Sequence, residues 1–117
     1  MEDKERINQF AHKYLSLYSD EKTHERDVEI GFPEECFALG FKMDSGESFI
    51  EKYGENAIRN PEGLEKTVDR IDSIEILGSA VFSKWRDITH WLQTNLTSDE
   101  NRKWFIIAFK RLIELTE

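Results

Sequence analysis

IDSIEILGSAVFSKWRDITHWLQ, residues 71–93, is the stretch whose reading decides the fold. Its first half alternates, with Ile74 and Ile76 around Glu75 and Leu77 closing what reads as a short strand. Gly78-Ser79 then reads as a strand-to-helix junction, with Ser79 as the N-cap. Beyond it, at about 100° per residue, Val81, Trp85, Ile88 and Leu92 form one stripe. Phe82 and Trp91 flank that stripe, while Ser79, Ser83, Arg86 and His90 share the opposite face. On this reading the stretch is a corner at which a strand feeds a helix.

Downstream, a polar loop from Thr94 to Asp99 leads into a helix over 100–115. Trp104, Phe105, Ile106, Ala108, Phe109, Leu112, Ile113 and Leu115 cover most of its circumference, which predicts a central core helix. Upstream, Ile7, Phe10, Ala11, Tyr14, Leu15 and Tyr18 recur at helical steps and predict an amphipathic helix over 4–19. Val28, Ile30 and Phe32 alternate and suggest a strand, followed by a turn at Pro33-Glu34-Glu35. Cys36 to Met43 reads as a second strand, with Phe37, Leu39, Phe41 and Met43 on one face. Asp44-Ser45 caps a short helix ending near Gly54, and Asn60-Pro61 opens another along Leu64, Val68 and Ile71. The order α-β-β-α-α-β-α-α predicts a single α+β domain over 1–117. Its core would be a small antiparallel or mixed sheet of about three short strands, packed by about four to five helices including the central C-terminal one.

The chain has 117 residues, enough for one core without a metal or disulfide staple. The lone Cys36 lies in an apolar run beside Glu34 and Glu35 and reads as a core thiol. No apolar run approaches membrane-spanning length, and the charged N-terminus lacks a signal-peptide core, so a soluble, cytoplasmic protein is expected. The net charge is −8. It is densest between Asp20 and Glu35, where Asp20, Glu21, Glu25, Asp27, Glu29, Glu34 and Glu35 face only Lys22 and Arg26. Phosphate backbones and anionic membranes call for clustered Lys and Arg, so neither nucleic acid nor membrane is expected as a partner. A cationic protein is what this charge favours.

The candidate chemistry is sparse. Ser83 and His90 stand seven residues apart, about 10.5 Å along a helix, too far for a base to activate a hydroxyl. No G-x-S-x-G elbow, phosphate-cradling glycine loop or H-x-x-x-H pair occurs. His12, His24 and His90 fall in separate elements, and Asp44-x-Gly46-Glu47 lacks the remaining ligands of a calcium loop, so no metal and no cofactor are expected. Arg86 and His90 at i, i+4 suit an anion, and Asp87 with His90 at i, i+3 suits an ion pair. Trp91, beside His90 and close to Arg86, has the composition of an interface hot spot.

The runs CFALGFKMDSGESF (36–49) and LGSAVFSKWRDITHW (77–91) resemble stretches of small uncharacterised bacterial proteins. In size and acidity the chain is similar to immunity partners of secreted toxins. The resemblance implies a bacterial interaction protein and assigns no catalytic or binding residue. Together these readings point to a non-enzymatic protein-binding domain, most concretely an acidic immunity- or antitoxin-type inhibitor of a cationic protein such as a toxin. The expected contact set is Glu25, Asp27, Glu29, Glu34, Glu35, Asp44 and Glu47, with Arg86, His90 and Trp91. Two other readings stay open: a small enzyme or ligand-binding domain using Ser83, Arg86 and His90, and a homo-oligomeric structural protein, a homodimer included, joined through Trp91 and Phe82.

Overall fold

The computed structural model describes residues 3–43, 46–92 and 94–117. Among these it contains helices and turns and no strand, so the expected α+β fold is corrected to an all-helical one. In chain order the helices are α1 (Lys4–Ser19), α2 (Glu25–Glu29), α3 (Phe32–Ala38), α4 (Glu47–Tyr53), α5 (Glu55–Arg59), α6 (Pro61–Thr67), α7 (Ile74–Arg86) and α8 (Asp99–Thr116). A 3-10 turn occupies Val68–Arg70 and a π-helical turn Asp87–Leu92.

Each expected strand falls on helices and the turns at their ends, for a local reason. The first, 28–32, spans the end of α2 and the start of α3. His24 and Asp27 form a capping box that starts α2, and Gly31 at φ 79° turns the chain between the two helices. Pro33 sits in the first turn of α3, where its missing N–H costs nothing. The second strand, 36–43, covers the last turn of α3 and the non-helical stretch that follows it. Gly40 at φ 84° closes the helix, with the Gly40 N–H donating to the Phe37 carbonyl at 3.0 Å and the Phe41 N–H to that of Cys36 at 3.0 Å. This 5→2 and 6→1 pair is a Schellman motif. The third, 74–77, is the first turn of α7. Its cap is Ser73, whose Oγ accepts the Ile76 N–H at 3.2 Å, six residues before the expected cap at Ser79.

The centre of the fold is α7. Every residue from Leu77 to Trp85 is buried, including Gly78, against which Phe41 packs so closely that a Cβ would lie 2.2 Å from its ring. The C-terminal helix shares that core, burying Trp104, Phe105, Ala108, Phe109, Leu112 and Ile113 against α1, α6 and α7. Helix α8 leaves Ile106 and Ile107 partly open and lies chiefly along α1. Between those two helices Tyr18 stacks on Phe105 at 4.7 Å, and Tyr14 stacks on Phe109 at 5.8 Å. Phe32 joins α3 to α7 and α1, stacking on Trp85 at 5.3 Å and meeting Tyr14 edge-on at 4.9 Å.

The shortest helices are held from outside. A five-residue helix is unstable alone and leaves its last carbonyls without intrahelical donors. The Trp85 indole N–H donates to the Val28 carbonyl of α2 at 3.1 Å. The end of α5 is filled by two other helices: Trp104 Nε1 donates to the Ala57 carbonyl at 2.9 Å, and Lys84 Nζ donates to those of Ile58 at 2.7 Å and Arg59 at 3.1 Å. Lys84 is only 8 % exposed, and its ammonium lies 5.4 Å from the centre of the Trp104 ring.

The buried ionisable groups make stability fall in alkali. Burial pushes the Tyr14 and Tyr18 phenols above their ordinary value of 10.0 and the Cys36 thiol above 9.0, and Glu35 raises Tyr14 further. The folded chain keeps protons that the unfolded chain sheds at those ordinary values. The contribution of these groups is therefore complete below about pH 9 and is lost as pH rises beyond it. Lys84 works in the opposite sense, because burial lowers its pKa below 10.5 and the unfolded chain then binds more protons. With three groups against one, the urea midpoint is expected to fall steadily from about pH 9 to about pH 11. Tyr18→Phe should flatten that fall at no cost near neutrality, since its hydroxyl has no hydrogen-bond partner among the described residues. A midpoint level across the range would contradict this account.

Candidate functional site

The acidic segment that the sequence singled out is divided by the structure. The Asp27 carboxylate accepts the His24 N–H at 3.0 Å and is part of the cap of α2. Glu35 is held by Lys13 Nζ at 2.7 Å and accepts the Tyr14 hydroxyl. Glu25 is half-buried and close enough to Tyr18 to act on it through space. Glu29, Glu34 and Glu47 are exposed, Glu47 in the first turn of α4. Asp44 lies outside the described residues.

Beside the exposed carboxylates stand two apolar side chains that sequence reading had not placed there. Ile30, at the end of α2, is 62 % exposed, and Phe37, on α3, is 61 % exposed. Phe37 lies one turn from Glu34 and rests edge-on against Phe82 at 5.1 Å. A strand assignment puts Phe37 on the same face as Phe41, whereas on α3 it points away from the buried Phe32 and Cys36.

The polar group Ser83, Arg86 and His90 does not form one face. Ser83 is fully buried inside the fold. Ser79 is buried too, its Oγ accepting the Lys42 N–H at 3.1 Å. Arg86 is half-buried, with its guanidinium 3.8 Å from the Asp87 carboxylate, so Asp87 pairs with Arg86 and not with His90. His90 is exposed on the π turn, edge-on to Trp85 at 6.4 Å.

The π turn has a consequence for the predicted stripe. Val81, Trp85 and Ile88 are buried as expected, but Leu92 is 60 % exposed and Trp91 is 73 % exposed. An i→i+5 register advances less than 100° per residue, so Leu92 rotates out of the stripe. The Thr89 hydroxyl donates to the Trp85 and Arg86 carbonyls at 3.0 and 3.2 Å, where the register changes. Trp91 and Leu92 then form one side of a groove of about 590 Å³ whose other side is Ile50, Ile58 and the Glu55–Arg59 pair. Lys84 and Asp87 lie along the same groove. Sequence reading had placed Trp91 at an edge but had no signal for the groove, because Ile50 and Ile58 come from helices remote in the chain.

Among the described residues no group of three or more His, Cys, Asp or Glu side chains is placed to hold a metal ion. No helix among them is long and apolar enough to cross a membrane. Compared with models of protein families, with curated proteins and with solved structures, the chain finds no match.

Proposed function

We propose that this chain is a non-enzymatic interaction domain of the immunity type, whose acidic α2–α3 face covers a cationic surface of another protein. The observation that carries this reading is the company of carboxylates and apolar side chains on that face. Glu29 and Glu34 stand exposed beside the exposed Ile30 and Phe37. Two apolar anchors within an acidic rim supply both parts of a specific contact: desolvated area for affinity, and charge for steering and register. The inhibition would work by occupancy, as a cationic cleft covered by this face no longer admits its own anionic substrate. The resemblance to immunity partners of secreted toxins supports the same reading, and a bacterial toxin domain is the partner it favours. Glu35 and Asp27 play structural parts in this scheme, holding α1 to α3 and capping α2.

The test is association with a cationic toxin domain, measured by calorimetry at rising salt. The double reversal Glu29→Lys and Glu34→Lys is expected to weaken binding at least tenfold, mainly through slower association, and to reduce the salt dependence. Phe37→Ala should weaken it through faster dissociation, by about 2 kcal/mol. Binding indifferent both to salt and to these substitutions would reject the proposal.

A further inference from the structure

A second surface, remote from the acidic face in the sequence, points to a different occupant. The groove between α5 and the π turn has apolar walls, Ile50 and Ile58 on one side and Trp91 and Leu92 on the other. Its volume of about 590 Å³ falls within the usual size of small-molecule sites. An indole left 73 % exposed at the mouth of such a groove is apolar area without a cover.

The four charges that line the groove sum to zero, Glu55 and Asp87 against Arg59 and Lys84, but three of them are already held in ion pairs. Glu55 is matched by Arg59 at 2.8 Å, and Asp87 by Arg86 at 3.8 Å. Lys84 is the groove-lining charge that makes no ion pair among the described residues. Its ammonium gives hydrogen bonds to the Ile58 and Arg59 carbonyls, two of the three it can donate. Asp87 and Glu100 act on it through space from beyond ion-pair distance. A desolvated ammonium with no carboxylate in contact is costly, and an anion arriving through the groove would offset that cost.

We propose that this groove binds an apolar monocarboxylate, with the carboxylate on Lys84 and the aryl or short alkyl body covered by Trp91, Leu92 and Ile58. The proposal is independent of the acidic-face reading, since it uses none of the residues of α2 or α3. A cationic head would meet the Lys84 ammonium while the groove's carboxylates, Glu55 and Asp87, are engaged by Arg59 and Arg86, and a neutral head would leave the ammonium unmatched, so the head group decides affinity.

The experiment compares octanoate, octanol and octylammonium on the intact chain by calorimetry, with tryptophan emission as a second readout. Octanoate is expected to bind at least about tenfold tighter than the other two. It should also shift emission to the blue, because Trp85 and Trp104 are already buried and Trp91 is the indole that changes environment. Trp91→Ala, at an exposed site, should keep the fold and lose about tenfold or more in octanoate affinity. Lys84→Met should erase the preference for octanoate over octanol. If that variant does not fold, the head-group series and Trp91→Ala decide alone. Octylammonium binding as well as octanoate, or no octanoate binding up to about 10 mM, would overturn the proposal.

Discussion

Gly63→Ala is expected to lower stability by about 3 kcal/mol, a fall in melting temperature on the order of 10 °C. In an open helix the same change would stabilise by up to about 1 kcal/mol, because alanine is the better helix former. The sign reverses here because α6 crosses α5 with no room for a side chain. A Cβ on Gly63 would lie 2.2 Å from the carbonyl oxygen of Asn56 and 2.6 Å from its carbon. Both are main-chain atoms and cannot rotate away. Helix α6 cannot back off freely either, since the Gly63 N–H donates to the Asn60 cap at 2.7 Å. Helix α5 is held in place by Trp104 and Lys84. Thermal unfolding followed by circular dichroism measures the effect, and an unchanged or raised midpoint would show that the crossing is looser than described.

Trp104→Ala should cost more, about 4–5 kcal/mol, while Trp91→Ala should stay within about 0.5 kcal/mol of the parent. The two differ only in setting. Trp104 is fully buried, meets Phe105 edge-on at 5.3 Å and donates its indole N–H to the Ala57 carbonyl. Its removal leaves a cavity and an acceptor without its donor. Against the usual 5–15 kcal/mol of total stability such a loss brings the chain close to unfolding. Trp91 covers little that folding needs. Urea titrations of the two variants give the comparison, and similar midpoints would refute the assignment of Trp104 as core and Trp91 as surface.

The parts of the fold that could be read from the sequence are those in which one period persists. Helix α1 repeats its apolar step over 16 residues, and its predicted limits match those observed. The cap at Asn60-Pro61 was legible because both residue types suit their positions and little else. The three expected strands failed for a common reason. Val28, Ile30 and Phe32 satisfy alternation, yet Val28 and Phe32 are also one helical turn apart, and over five residues the two periods cannot be told apart. The deciding groups were polar ones outside the pattern, the His24–Asp27 box and the Ser73 cap. Within the candidate site, the exposed Trp91 was foreseeable from its flanking position. The exposed Leu92 was not, because a wheel drawn at 100° cannot anticipate a π turn. The division of the acidic residues into free and engaged ones depended on Lys13 and Tyr14, which lie more than 20 residues away from Glu35.

The carbonyls at the end of α5 also bear on cooperativity. Their donors arrive from α7 and α8, 25 to 47 residues further along the chain. Helix α5 can therefore open only by vacating contacts with two other helices at once, and α6 is pressed against it at Gly63. Segments of this kind exchange their amide hydrogens with the whole molecule and not through local fraying. The shortest helices of this protein are thus tied to its global unfolding, and its mobile parts have to be sought elsewhere.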